Sequence, residues 1–88
     1  MYSVCILDAA ARDLEAVDRA VARRIVLRIQ WLAEHVGDLR PEPLTGGLAG
    51  LFKLRVGDYR VIYELLQDEK TLVVHQIGHR RDVYRKRR

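Results

Sequence analysis

The chain has 88 residues and a net charge of +4, so it forms a single domain over residues 1–88, with no room for a second core. A chain of this size buries roughly 60–65% of its unfolded surface, which excludes a large internal cofactor pocket. Its single cysteine excludes an internal disulfide and a cysteine-rich metal site. Neither a signal peptide nor an apolar run of membrane length is evident, so a soluble cytoplasmic protein is expected.

The positive charge is concentrated in the second half of the sequence. Residues 1–44 carry six Lys or Arg against seven Asp or Glu, which sums to −1. Residues 45–88 carry ten against five, which sums to +5, with the basic residues densest in "RRDVYRKRR" at residues 80–88. This asymmetry indicates a polyanionic partner.

The first half predicts a strand followed by two helices. Residues 2–7 form an apolar run, with Cys5 expected as a small buried residue. Asp8 is the predicted N-cap of a helix over residues 9–17. Asp18 is the predicted N-cap of a longer amphipathic helix over residues 19–35, ended by Gly37. Trp31 is expected at the interface of this helix with the sheet or with the other helix, and His35 at the helix end.

The second half predicts a loop and three strands. Residues 37–50 hold both prolines and four of the six glycines, as is typical of a loop. Strands follow at residues 51–56, 59–66 and 71–77, and the tail from residue 78 is expected to be irregular or a short helix. Helices first and hairpin-linked strands later favour an α+β fold, with two helices on one face of a mainly antiparallel sheet and a flexible basic C-terminal tail.

A two-residue turn at Gly57 and Asp58 fixes the register of the first hairpin, so that opposed residue numbers sum to 115. One face is then apolar and must meet the helices: Phe52, Leu54, Val56, Tyr59, Val61, Tyr63 and Leu65. We call the opposite face the basic face, and it carries Lys53, Arg55, Arg60, Ile62 and Glu64. If Leu66 pairs with Thr71, then His75, opposite Ile62, and Ile77 join the basic face.

The basic face opposes two like charges, because Arg55 lies directly across from Arg60. Their Cβ atoms are about 4.5–5.5 Å apart, and the repulsion costs up to a few kcal/mol before solvent screening. One interpretation is a solvated basic face of no special function. The other is a site built to hold an anion, which the addition of Lys53 and a basic tail favours.

The motifs "LFKLRVGDYRVIYEL" (residues 51–65) and "IGHRRDVYRK" (residues 77–86), behind two helices and the loop "PEPLTGGLAG", resemble those of the RelE/ParE superfamily of toxins. The resemblance covers the whole chain and implies a β-α-α-β-β-β fold. RelE-like members are mRNA interferases that cut the codon in the ribosomal A site and are held inactive by an acidic antitoxin. The implied reaction is attack of the ribose 2′-OH on the adjacent phosphate, with neither metal nor cofactor.

The resemblance also implies roles for individual residues. Lys53 or His79 would move a proton, the arginines would stabilise charge, and Tyr84 would stack on or orient a base. The implied catalytic set is Lys53, Arg55, Arg60, His79, Arg80 and Tyr84, with Arg81, Arg85 and Lys86 as RNA-binding residues. The sequence departs from the RelE pattern at residues 51 and 52, where Leu and Phe stand in place of an additional lysine, and His79 would then supply the base.

Three alternatives remain open on the sequence alone. His79 fits equally a surface residue or a hydrogen-bonding cap at the strand end, and Tyr84 fits a packing residue. A ParE-like member would inhibit DNA gyrase by binding it, without cutting RNA. A homologue without activity, or a plain basic binding module, is the third reading.

Overall fold

The computed structural model describes residues 1–44 and 50–81. It shows two helices packed on one face of a five-stranded mixed sheet, so the predicted α+β fold is confirmed. The strand order is β1-β5-β4-β3-β2, with β1 parallel to β5 and the other pairs antiparallel. The elements are β1 (Ser3–Ile6), α1 (Asp8–Ala16), α2 (Arg19–Glu34), a 3₁₀ turn (Val36–Asp38), β2 (Glu42–Pro43), β3 (Phe52–Val56), β4 (Tyr59–Leu66) and β5 (Thr71–His79).

The helix boundaries confirm one predicted cap and correct two other assignments. The Asp18 carboxylate accepts a hydrogen bond from the Ala20 N–H (3.1 Å), as expected for the N-cap of α2. Asp8 is the first residue of α1 and Leu7 is its N-cap. The Asp8 carboxylate therefore does not cap the helix, but its negative charge is favourable near the positive end of the helix dipole. The predicted stop at Gly37 is wrong, because α2 ends at Glu34 and Gly37 lies within the 3₁₀ turn.

The core lies between the helices and the apolar sheet face, as the hairpin register predicted. Ile25, Ile29 and Leu32 of α2 pack against strand residues that include Val61 and Tyr63. Burial of each such side chain stabilises the fold by about 1.5–3 kcal/mol. Burial also raises the pKa of Tyr63 to about 12, so its phenol stays neutral at physiological pH and behaves as a core residue.

Two residues predicted to be buried are exposed. Cys5 is exposed because it pairs with Val73, whose partner on β4 is Glu64, so its side chain lies on the basic face that the helices leave uncovered. Trp31 is 39% exposed and stacks on the ring of His35 with centroids 4.4 Å apart. The Arg28 guanidinium lies 5.0 Å from the Trp31 ring centroid. Trp31 therefore belongs to the outer surface of α2. His35 lies at the helix end, as expected, and its Nδ1 donates to the Trp31 carbonyl oxygen (2.7 Å).

The hairpin between β3 and β4 has the predicted register. Val56 pairs with Tyr59, Arg55 with Arg60, and Lys53 with Ile62. Gly57 makes the turn possible because its φ is +60°, a conformation that glycine adopts without a steric penalty.

The pairing of β4 with β5 departs from the predicted register at a β-bulge. Leu66 pairs with Thr71 as expected, but the register shifts between Tyr63 and Ile62, so Ile62 pairs with Gln76 and not with His75. A bulge inserts one residue and reverses the alternation of faces beyond it. Ile77 consequently lies in the helix-facing core, opposite Val61, which corrects its predicted position on the basic face.

Strand β2, within the predicted loop, was not foreseen. Glu42 pairs with Lys53 and Pro43 with Phe52. A two-residue edge strand that contains proline carries too little pattern to be recognised in a sequence. The tail was predicted to begin at residue 78, but β5 continues to His79. Residues 45–49 of the loop and residues 82–88 of the predicted flexible tail lie outside the described residues. In the part of the chain that the structure describes, the helices are too short or too polar to cross a membrane.

Replacement of Gly57 by alanine tests the turn. The added Cβ would make an ordinary contact of 3.6 Å with Arg24 Nη2, so the cost arises from the backbone at positive φ. We expect Gly57→Ala to lower the free energy of unfolding by about 1–2 kcal/mol, measured by urea titration. Gly37→Ala is the matched control, because a Cβ there meets nothing within 4 Å, and its effect should stay within about 0.5 kcal/mol. Equal stability of the two variants would contradict the strained-turn assignment.

Candidate anion-binding site

The opposed arginines of the basic face differ in their surroundings. Arg55 is exposed, whereas Arg60 is only 8% exposed. Arg60 Nη1 donates to the carbonyl oxygens of Gly57 (3.3 Å) and Tyr59 (3.1 Å). These carbonyl dipoles stabilise the buried guanidinium and direct it toward the hairpin turn, so the two like charges are held at one end of the sheet.

Lys53 lies one step further along the basic face and forms an ion pair. Its Nζ is 3.3 Å from Oε2 of Glu42, on the edge strand β2. A partly exposed pair of this kind contributes about 0–1 kcal/mol to stability. The pair also places the Glu42 carboxylate beside the Lys53 ammonium group at the margin of the basic face.

The backbone of Arg80 is fixed beside the same turn. Its N–H donates to the carbonyl oxygen of Asp58 (2.9 Å), which continues the ladder beyond the pairing of Arg60 with Gly78. Arg80 and Arg81 are both exposed and begin a helical turn. The Arg60 side chain and the Arg80 backbone are therefore both hydrogen-bonded at the Gly57-Asp58 turn, and Arg55 lies opposite Arg60 in the hairpin.

The structure separates His79 from these arginines. Because of the bulge, His79 pairs with Tyr59 on the helix-covered face, with ring centroids 5.7 Å apart in an edge-to-face contact. His79 Nδ1 accepts a hydrogen bond from the Arg81 N–H (3.3 Å). This geometry matches the alternative of a cap at the end of the strand. Tyr84, Arg85 and Lys86 lie outside the described residues.

One group beside the turn, Arg24, was not assigned to the site from the sequence. Arg24 of α2 reaches the turn, since its Nη2 lies 3.6 Å from the position that a Gly57 Cβ would occupy. On the basic face, His75 Nε2 is 2.9 Å from Oε1 of Glu64. Helical periodicity places Arg24 on the exposed side of α2, and only tertiary packing brings it beside the hairpin.

The surroundings of the turn favour an anion over other ligands. Four arginines contact the turn or are fixed beside it by strand pairing: Arg24, Arg55, Arg60 and Arg80. Guanidinium groups bind phosphate through two parallel hydrogen bonds, and converging cations stabilise negative charge on a phosphorane. The arginines of the basic face are therefore candidates for contacts with a phosphodiester.

Comparison with known proteins identifies the family of this chain. A sequence model of the family "ParE toxin of type II toxin-antitoxin system, parDE" matches residues 4–84. The chain belongs to this toxin family of the RelE/ParE superfamily. It is 35% identical over 91 aligned positions to Toxin RelG of Mycobacterium tuberculosis, covering 97% of this chain and 98% of RelG. The chain is thus a type II toxin.

Solved structures of related toxins share the fold. The toxin–antitoxin complex RelBE2 of M. tuberculosis has a chain that is 29% identical, with a TM-score of 0.79 and coverage of 90% of this chain and 91% of that one. The isolated RelE toxin of E. coli has a TM-score of 0.76 at 17% identity, with coverage of 98% and 94%. At 17% identity, the likeness to E. coli RelE shows a shared fold alone.

The anion site can be tested by the salt dependence of RNA binding. The probe is a short 2′-O-methyl RNA, and its affinity is measured at several salt concentrations. We expect the slope of log affinity against log salt to be about 0.7 shallower for Arg55→Ala than for the wild type, because one phosphate contact is lost. The control is Arg19→Ala, another exposed arginine, at the start of α2 and outside the site. An unchanged slope in Arg55→Ala, or an equal loss in the control, would show that Arg55 contacts no phosphate.

Proposed function

We propose that this toxin is an endoribonuclease that cuts mRNA in the ribosomal A site and so inhibits translation. The observations that support the proposal are the placement of Arg55 opposite Arg60, the hydrogen bond from the Arg80 backbone to the same turn, and the position of Lys53 two residues before Arg55 on the same face. Cleavage of RNA through its own 2′-OH needs charge stabilisation and proton transfer at one phosphate, and these residues provide both.

In the proposed reaction the 2′-oxygen attacks the adjacent phosphorus and the bond from phosphorus to the 5′-oxygen breaks. Glu42, paired with Lys53, accepts the proton of the 2′-OH, and the Lys53 ammonium group donates a proton to the departing 5′-oxygen. Arg55 and Arg80 bind the phosphate oxygens, while Arg60, fixed by the turn carbonyls, contributes positive charge. The products carry a 2′,3′-cyclic phosphate and a 5′-OH.

The remaining predicted residues take supporting roles. Tyr84 is proposed to orient a base and Arg81, Arg85 and Lys86 to contact the RNA backbone. His79 faces the other side of the sheet, so we assign it to positioning: its hydrogen bond to the Arg81 N–H orients the turn that carries Arg80 and Arg81.

The proposed protein partner is an acidic antitoxin, bound in a toxin–antitoxin hetero-oligomer. The related RelBE2 structure is described as a toxin-antitoxin complex, and so are those of RelBE from E. coli and RelB-RelE from Methanococcus jannaschii. The net charge of +4 on this chain suits an acidic partner, because complementary charge speeds association.

A second candidate function is the inhibition of DNA gyrase by binding. Two observations favour it: the matching family model is that of ParE toxins, and His79 does not face the arginines. In that case the arginines around the turn would bind an acidic protein surface or DNA, and no bond would be cut by the toxin.

Variants of Arg80 and Lys53 separate the two functions. We expect the wild-type chain to inhibit cell-free translation and to leave gyrase supercoiling unaffected. Arg80→Ala and Lys53→Met should each reduce the inhibition of translation about 100-fold or more, because each removes a group acting on the transition state. Arg19→Ala is the control for general loss of charge, and thermal melting confirms the fold of each variant. Inhibition of supercoiling by the wild-type chain, with translation unaffected, would establish the second function instead.

A further inference from the structure

Strand β1 forms an edge of the sheet that the functions proposed above do not use. It pairs with β5 on one side, and in the described part of the chain no strand lies on its other side. Val4 is 39% exposed, and Cys5 is exposed as well. A cavity of about 700 Å³ lies between residues 1–4 and the end of α2, so the helix leaves space beside this edge.

The outer side of β1 presents the backbone groups of two residues. Alternate residues of a strand direct their N–H and C=O groups toward opposite sides. The N–H groups of Ser3 (2.9 Å) and Leu7 (3.1 Å) donate to carbonyl oxygens on the β5 side. Val4 and Ile6 therefore point outward, and within residues 1–44 and 50–81 their N–H and C=O groups have no hydrogen-bond partner.

The open stretch of the edge has a definite length. Tyr2 also points outward, but its N–H donates to the carbonyl oxygen of Ala33 at the end of α2 (3.0 Å). At the other end the chain enters α1 at Asp8. Residues 3–7 are therefore the part of β1 to which another strand can add.

The side chains of β1 lack the features that prevent sheet edges from pairing. Residues 1–7, with the sequence MYSVCIL, contain neither a charged side chain nor a proline. The opposite edge strand, β2, consists only of Glu42 and Pro43. Because charge, proline and short length all discourage the addition of a strand, β1 is the edge that accepts one.

We propose that β1 is the interface with a second copy of this chain, in which the two β1 strands pair antiparallel about a two-fold axis. Residue numbers across the interface then sum to 10, so Val4 lies opposite Ile6 of the second copy and Ile6 opposite its Val4. In such pairs the two residues exchange both backbone hydrogen bonds, so every open group of the edge finds a partner. A sum of 8 would require Tyr2, which is already bonded to α2, and an odd sum would place side chains on opposite faces.

A second copy fits this edge because the pairing is self-complementary. The outward groups of each copy satisfy those of the other, which removes two open edges at once. Residues 3–7 bring no charge to the contact, and the opposed arginines lie on β3 and β4, with β5 between them and β1. Because opposed side chains share a face, the joined sheet carries both pairs of helices on one side and both basic faces on the other.

Substitution of Val4 tests the interface in solution. One short strand from each copy makes a small contact, so we expect reversible dimers at micromolar concentrations in sedimentation velocity of the full-length toxin. Val4→Lys should raise the dimer dissociation constant about 10-fold or more, because it opposes like charges across the two-fold axis. Leu27→Lys is the matched control, since Leu27 is an exposed apolar residue on α2, and its dissociation constant should stay near the wild-type value. Thermal melting confirms the fold of both variants.

Crosslinking through Cys5 tests the pairing itself. Cys5 lies opposite Cys5 of the second copy in a pair without hydrogen bonds, where Cα atoms are about 4.5 Å apart, a distance that a disulfide spans. Diamide, which takes up the two protons and two electrons of the thiols, should therefore link the copies. The control carries Ser3→Cys with Cys5→Ser: position 3 lies opposite position 7, so its two thiols would be about 14 Å apart. We expect the wild type to crosslink about 10-fold faster or more than this control.

Three results would overturn the proposal. They are a monomer at every concentration up to about 0.5 mM, equal weakening by Val4→Lys and Leu27→Lys, and equal crosslinking at positions 3 and 5. If the toxin alone stays monomeric while its antitoxin slows amide exchange at Val4 and Ile6, the edge receives the antitoxin and the proposal is wrong. None of these measurements depends on what the toxin attacks.

Discussion

The tight turn at Gly57 and Asp58 is the constraint on which the rest of the structure depends. The positive φ of Gly57 permits a two-residue connection, and that connection fixes which side chains of β3 and β4 face the helices. The carbonyl oxygens of Gly57 and Tyr59 hold the Arg60 guanidinium, and that of Asp58 accepts from the Arg80 N–H. The turn therefore both closes the core and anchors the Arg60 side chain and the Arg80 backbone.

The turn also explains how like charges can be opposed without unfolding the hairpin. Arg55 remains exposed, where water screens its charge, whereas Arg60 is buried and hydrogen-bonded to backbone carbonyls. The apolar face on the other side supplies the stabilisation that offsets the remaining repulsion, with Val61 and Tyr63 packed against α2. A bound phosphate would relieve the repulsion directly, and this is the physical link between the fold and the proposed activity.

The local pattern of the sequence was sufficient to predict the fold class and the register of the first hairpin, but not to predict every residue of the candidate site. The alternation of residues 52–65 and the Gly-Asp turn predict the register that places Arg55 across from Arg60. The bulge at His75 carries no comparable signal, and its single extra residue turns Ile77 and His79 toward the helices. The position of Arg24 beside the turn depends on how α2 docks on the sheet, which helical periodicity does not specify. Family membership follows from the motifs, whereas the target of the toxin does not.

The chemistry of RNA ends after induction of the toxin is the most direct test of the central claim, that the cations gathered at the turn serve to cut RNA. Primer extension and end-specific ligation on cellular mRNAs would locate and classify these ends. The account predicts new 5′-OH ends within translated codons, in frame, with matching 2′,3′-cyclic phosphates. Intact mRNAs in cells arrested by the toxin would contradict it.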